Sequence, residues 1–169
     1  MSHLPPVFGI TGYSGSGKTA LVRALLPELT GRGLRVSTLK HAHHGFEIDQ
    51  PGKDSYEHRA AGAQEVLVAS ARRWALVHEH RDDAEPGLWD LLGKFAACDL
   101  VLVEGYKRES HPKVEVHRPS VGKPLLLDEI PNVLAVASDE SIQRVDVPVL
   151  NLNNVAAIAD FVLMQTKAA

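Results

Sequence analysis

Gly12-Tyr13-Ser14-Gly15-Ser16-Gly17-Lys18-Thr19 follows the pattern G-x-x-x-x-G-K-[ST], the loop that wraps nucleotide phosphates in backbone N–H groups. Its neighbours decide the fold. Val7-Phe8-Gly9-Ile10-Thr11 in front reads as a buried strand, and Ala20 to Leu29 behind reads as a helix. Strand, loop and helix in that order are what a phosphate-binding loop requires. Glycines permit positive φ and close backbone approach, and the helix N-terminus adds its positive dipole end beneath the phosphates. In that setting Lys18 reaches the β- and γ-phosphates and the Thr19 hydroxyl ligates Mg²⁺.

The rest of the chain supplies the sheet for that loop. Leu21, Val22, Leu25, Leu26 and Leu29 share one helical face, and Pro27 within the pattern predicts a kink or bend. Gly31-Arg32-Gly33 ends the helix, and residues 34–40 read as a second strand, parallel to the first through a right-handed crossover. Asp54 or Ser55 is placed to cap a helix running to Gly62. Residues 65–70 and 74–78, joined by Ala71-Arg72-Arg73, predict an antiparallel hairpin.

Leu88, Leu91, Leu92 and Phe95 predict an amphipathic helix ending near Ala97. Leu100-Val101-Leu102-Val103 is continuously apolar, the mark of a strand buried on both faces of a parallel sheet. Residues 114–117, 133–137 and 147–150 predict further strands, and Asn153 or Asn154 caps a last helix carrying Ile158, Phe161 and Val162. This alternation predicts an α/β fold: a doubly wound, mostly parallel sheet of the P-loop NTPase type with an antiparallel hairpin. A length of 169 residues predicts a single nucleotide-binding domain over residues 1–169.

Bulk properties exclude several functions. The net charge of −3 and the lack of a basic run give no electrostatic basis for nucleic-acid binding. Cys98, as the sole cysteine, precludes an internal disulfide or a cysteine-based zinc site and fits a reducing compartment. The start of the sequence lacks the regions of a signal peptide, and no apolar run approaches the roughly 20 residues of a membrane span. A cytoplasmic location is the expectation.

A phosphate loop working with Mg²⁺ calls for an acid on a neighbouring strand. Glu104 closes the most apolar strand at the edge where the loop should lie, whereas Asp99 opens that strand and reads as a turn acid. The polar stretch 40–55 follows a strand end, the ligand-binding edge of such sheets, and its Asp49 or Asp54 is suited to Mg²⁺ directly or through water. His41, His43 and His44 lack the spacing and the cysteine support of a zinc site and read as polar loop residues near phosphate. Arg59, Lys53 and Lys107 are candidate cations, but no dedicated catalytic Gln or Arg stands out, so slow turnover is expected. The usual [NT]-K-x-D guanine motif is absent. Ala137-Ser138-Asp139-Glu140 follows a strand and offers an acid for the guanine N1–H and amino group, with Asn151 and Asn153 as further polar candidates. A kinase acting on a small metabolite is the competing function, weakened by the lack of an arginine-bearing lid.

The phosphate loop, Lys40-His41-Ala42-His43-His44, Asp49-Gln50-Pro51-Gly52-Lys53-Asp54-Ser55, Arg59-Ala60-Ala61-Gly62-Ala63 and Leu102-Val103-Glu104-Gly105-Tyr106-Lys107 together resemble the MobB family, the adaptors of molybdopterin-guanine dinucleotide biosynthesis. K-H-x-H-H followed by D-x-P-G-K-D-S is the particular part of the likeness. The resemblance implies a homodimeric GTP-binding protein with weak GTPase activity and Mg²⁺. It implies a MobA-type guanylyltransferase as partner, which joins GMP to molybdopterin. The adaptor's part would be to assist that step, or to deliver the cofactor to molybdoenzymes. Carried onto this sequence, Gly12, Tyr13, Ser14, Gly15, Ser16, Gly17, Lys18, Thr19 and Ala20 contact the nucleotide, with Asp139 at the guanine. Thr19, Glu104 and Asp49 serve the metal, and Lys18, Glu104 and Asp49 carry the catalytic role.

Overall fold

The computed structural model describes residues 4–42, 45–143 and 146–167. The chain divides into two compact units: residues 42–87 form one, and the segments before and after them form the other.

The larger unit holds a six-stranded sheet. Its strands are β1 (Val7–Thr11), β2 (Val36–Lys40), β5 (Leu100–Glu104), β6 (Lys113–His117), β7 (Val133–Ser138) and β8 (Val149–Asn151), in the order β2-β5-β1-β6-β7-β8. Every pairing in it is parallel. The chain leaves central β1 toward β2 on one side and later returns to fill β6, β7 and β8 on the other. That reversal opens a crevice at the carboxyl ends of the strands next to β1, where such sheets bind ligands.

Alternation along each strand assigns side chains to two cores. Phe8, Ile10, Leu100, Leu102, Val114 and Val116 face α1 (Lys18–Gly31) and α4 (Val155–Lys167). From α1 come Leu21, Leu25 and Leu29; from α4 come Ile158, Phe161 and Val162. The Phe8 and Phe161 rings meet edge to face, 6.3 Å between centroids. On the opposite face Val7, Leu39, Val101 and Val103 pack against Leu88 and Leu92 of α3 (Leu88–Leu92). The apolar run of β5 is thus buried on both sides, as its composition predicts, and each such side chain contributes about 1.5–3 kcal/mol.

Several boundaries differ from the sequence expectation. The α1 helix runs through Pro27 to Gly31, and the Thr30 hydroxyl donates to the Leu26 carbonyl at 2.8 Å near its end. Strand β2 starts at Val36 rather than at residue 34. The α3 helix stops at Leu92, short of Ala97, because Gly93 follows; tighter i to i+3 bonds from Lys94 and Phe95 continue the chain. Asn154 does cap α4, accepting the Ala157 N–H at 3.1 Å.

The smaller unit contains α2 (Asp54–Ala60) and the antiparallel pair β3 (Glu65–Ala69) and β4 (Trp74–His78), a separate two-stranded sheet. Here Lys53 stands at the N-cap with no side-chain cap bond, so neither Asp54 nor Ser55 caps the helix. Asp54 lies instead in the first turn, where its charge complements the helix dipole. Register pairs Leu67 with Leu76 and Ala69 with Trp74 on one face, and Val66 with Val77 on the other. Val66 is buried, while Leu67, Leu76 and Trp74 stay exposed at 60%, 44% and 67%.

Candidate nucleotide site

The phosphate loop joins the end of β1 to the start of α1, as the motif requires. Gly12, Gly15 and Gly17 all adopt positive φ, at 141°, 82° and 102°. Gly12 has a second constraint: a Cβ there would stand 2.4 Å from the Val116 carbonyl oxygen of β6. The loop therefore lies directly on the neighbouring strand. Ser16 is buried and its hydroxyl has no hydrogen-bond partner, an orphaned donor inside the loop itself.

Lys18 donates from Nζ to the Tyr13 carbonyl at 2.8 Å, folded back across the loop. Its pKa is lowered, chiefly by burial, with Glu104 acting in the opposite direction and the charges of Lys40 and Lys107 adding to the decrease. The first turn of α1 puts Thr19 against the end of β5. Its hydroxyl lies 2.9 and 3.1 Å from the two carboxylate oxygens of Glu104, which also meets Lys40 Nζ at 3.6 Å. A hydroxyl and a carboxylate in contact form an all-oxygen pair suited to a hard cation that retains waters. Among the described residues, no cluster of three or more His, Cys, Asp or Glu side chains is arranged to hold a metal.

Beyond Glu104 the backbone turns sharply. Gly105 has φ 102°, and a Cβ there would come within 2.9 Å of His41 Cβ. Tyr106 also has positive φ, 46°, and its ring stacks on His41 with centroids 4.5 Å apart. His41 thus supports the end of β5, and its backbone N–H donates to the Glu104 carbonyl at 2.9 Å. His43 and His44 lie outside the described residues. Asp99, at the opposite end of β5, binds Arg35 through both backbone and side chain, in keeping with a turn acid.

Asp139 follows β7 and lines a cavity of about 370 Å³ with Ser138, Glu140, Ser141 and Asn151 at the carboxyl ends of β7 and β8. Its carboxylate is paired with Arg118. Sequence reasoning missed Arg118, whose Nε also donates to the Ser16 carbonyl of the phosphate loop at 3.1 Å. The available signal was its position one residue past β6, the strand beside β1. Asp49 and Arg59 belong to the smaller unit. There Arg59 binds Asp49, Glu47 and Glu79 at 2.8, 2.6 and 3.0 Å, and these carboxylates, Asp49 foremost, raise its pKa.

Comparison with known proteins bears on the family and the fold. The family model for molybdopterin guanine dinucleotide synthesis protein B, MobB, matches residues 7–139. The chain belongs to the MobB family. A protein of Haemophilus influenzae named a molybdopterin-guanine dinucleotide biosynthesis adapter protein is 43% identical over 166 residues, covering 96% of this chain and 90% of its own. One from Escherichia coli with the same name is 42% identical, covering 94% and 91%. The crystal structure of Bacillus subtilis MobB superposes with a TM-score of 0.77 at 27% identity, covering 97% of this chain and 99% of that one. The MobB matches thus span the phosphate loop, Glu104, Arg118 and Asp139 alike.

Proposed function

We propose that the protein is a cytoplasmic GTP-binding adaptor of molybdenum cofactor biosynthesis. It assists a MobA-type guanylyltransferase in joining GMP to molybdopterin, or helps deliver the finished cofactor to molybdoenzymes. Family membership and the names of its relatives support the pathway. The nucleotide role rests on one observation: a glycine loop at positive φ leads into α1, with Thr19 in contact with Glu104 at the end of β5.

In this function the loop N–H groups from Gly12 to Ala20 and the α1 dipole hold the phosphates. Lys18 exchanges its Tyr13 carbonyl for a phosphate oxygen. The oxygens of Thr19 and Glu104 would hold Mg²⁺, which would supply positive charge to neutralise the phosphates. Asp49, held by Arg59 within the smaller unit, is a separate candidate metal ligand. Hydrolysis is slow, since Arg118, the arginine that touches the loop, is committed to a carboxylate. Asp139 accepts the guanine N1–H and amino group. The exposed face of Leu67, Leu76 and Trp74 is covered in a homodimer. Among the described residues, no helix is long and apolar enough to cross a membrane.

Calorimetric titration with GTP, ATP and GDP in the presence of Mg²⁺ tests the site. Tighter binding of GTP is expected, and Lys18→Ala should weaken every nucleotide at least about tenfold, or 1.4 kcal/mol. Unchanged affinity in Lys18→Ala would remove the phosphate loop from the function.

A further inference from the structure

Arg118 joins two places that the chain keeps far apart. It lies just past the end of β6 with extended backbone, φ −123° and ψ 116°, ahead of the 3₁₀ turn Pro119–Val121. From there its Nε reaches the Ser16 carbonyl at 3.1 Å, 102 residues away in sequence. Its Nη1 pairs with Asp139, just past the end of β7, the strand beyond β6. A Cβ on Gly17 would sit 3.4 Å from Nε, so the guanidinium lies against the N-terminus of α1. About a third of the side chain is exposed.

The guanidinium is planar, so its nitrogens cannot be aimed independently. The bond from Nε to the loop carbonyl fixes where Nη1 points, and that fixes where the Asp139 carboxylate is held. A lysine has one point charge and could not impose both positions. We propose that Arg118 is a positioning residue that locks Asp139 to the phosphate loop and thereby sets the preference for guanine over adenine. This rests on the assignment of Asp139 to the base.

The chemistry follows from the donor pattern. Guanine presents N1–H and a 2-amino group side by side, matching the two oxygens of one carboxylate. Adenine presents an acceptor at N1 and lacks the 2-amino group. Each carboxylate oxygen has two lone-pair directions, so Oδ2 can keep Arg118 and still accept from the base. Discrimination of this kind depends on a fixed carboxylate, because a mobile one can turn to water and leave no unpaired group to penalise adenine. Glu140 beside Asp139 lines the same cavity, so loss of the guanidinium also leaves Asp139 beside a second acid without its cation.

The test uses the full chain and titrates Mg²⁺–GTP and Mg²⁺–ATP into wild type, Arg118→Ala, Arg118→Lys, Asp139→Asn and the Arg118→Ala/Asp139→Asn double variant. Arg118→Ala should lower the GTP/ATP affinity ratio about tenfold, with Arg118→Lys recovering only part of it. The double variant should lose no more of the ratio than Asp139→Asn alone, since both changes break one device. Equal weakening of GTP and ATP by Arg118→Ala would overturn the proposal, leaving a residue that only shapes the loop. So would ratio losses that multiply in the double variant. A wild-type ratio in Asp139→Asn would bring down the base site itself, a separate failure visible with Arg118 intact. Thermal unfolding recorded in parallel identifies a variant that does not fold; Arg118→Lys, which keeps the charge, then carries the comparison.

Discussion

Two glycines of the phosphate loop should respond very differently to alanine. At Gly12, φ is 141°, and a new methyl would lie 2.4 Å from the Val116 carbonyl and 2.8 Å from Ser16 Oγ. The Val116 carbonyl belongs to β6, held between β1 and β7, so the strand cannot give way. Backbone strain at such a φ costs about 1–3 kcal/mol. Forcing a methyl into occupied space adds about 1–3 kcal/mol. Gly12→Ala should therefore destabilise by about 2–6 kcal/mol. At Gly15, φ is 82° and nothing lies within 4 Å of the would-be Cβ. Only the left-handed penalty of about 1–2 kcal/mol applies, partly offset by about 0.4–1 kcal/mol from a stiffer unfolded chain. Urea unfolding followed by circular dichroism should find Gly12→Ala the less stable by about 1–3 kcal/mol, the overpacking contribution that Gly15→Ala lacks. Equal destabilisation by the two would refute the claim that the loop rests on a rigid β6 carbonyl.

Two further outcomes can be checked in solution. Lys113 is wholly buried and donates to the carbonyls of Glu109, His111 and Pro131, and burial lowers its pKa from 10.5 to about 8. Between those values the unfolded chain binds the extra proton, so this residue adds stability as pH rises from 8 toward 10.5, by up to roughly 3 kcal/mol. Urea midpoints across that window should show the rise in wild type and not in Lys113→Met, and identical profiles would contradict it. Trp74→Lys and Leu76→Lys place charge on the exposed hairpin face, and sedimentation at micromolar concentration should find dimer in wild type and monomer in the double variant. A wild-type monomer would exclude the hairpin as a dimer contact.

Much of this protein is legible in its sequence. The loop from Gly12 to Thr19 declared itself because its glycines and its lysine serve local geometry, and local geometry is written in consecutive residues. Strand β5 is equally plain, since four adjacent apolar residues are what a strand buried on both faces of a parallel sheet carries. Glu104 could be assigned to the loop from its place at the end of that strand, and it touches Thr19. Helix ends were less legible: Lys53 stands at the α2 N-cap and Gly93 cuts α3 short, because capping and breaking depend on competing partners nearby.

What sequence could not decide was which charge meets which. Arg59 reads as a candidate cation that spacing does not place, and three carboxylates of its own unit hold it. Arg118 carried no signal, yet it ties Ser16 to Asp139. The physical reason is the parallel register of the sheet. It gathers the carboxyl ends of strands distant in the chain onto one edge, and only there do 102 residues of separation become a single hydrogen bond. The sequence by itself determined that a phosphate loop would open a parallel sheet, whereas the tertiary structure alone decided how that loop is wired to Arg118 and Asp139.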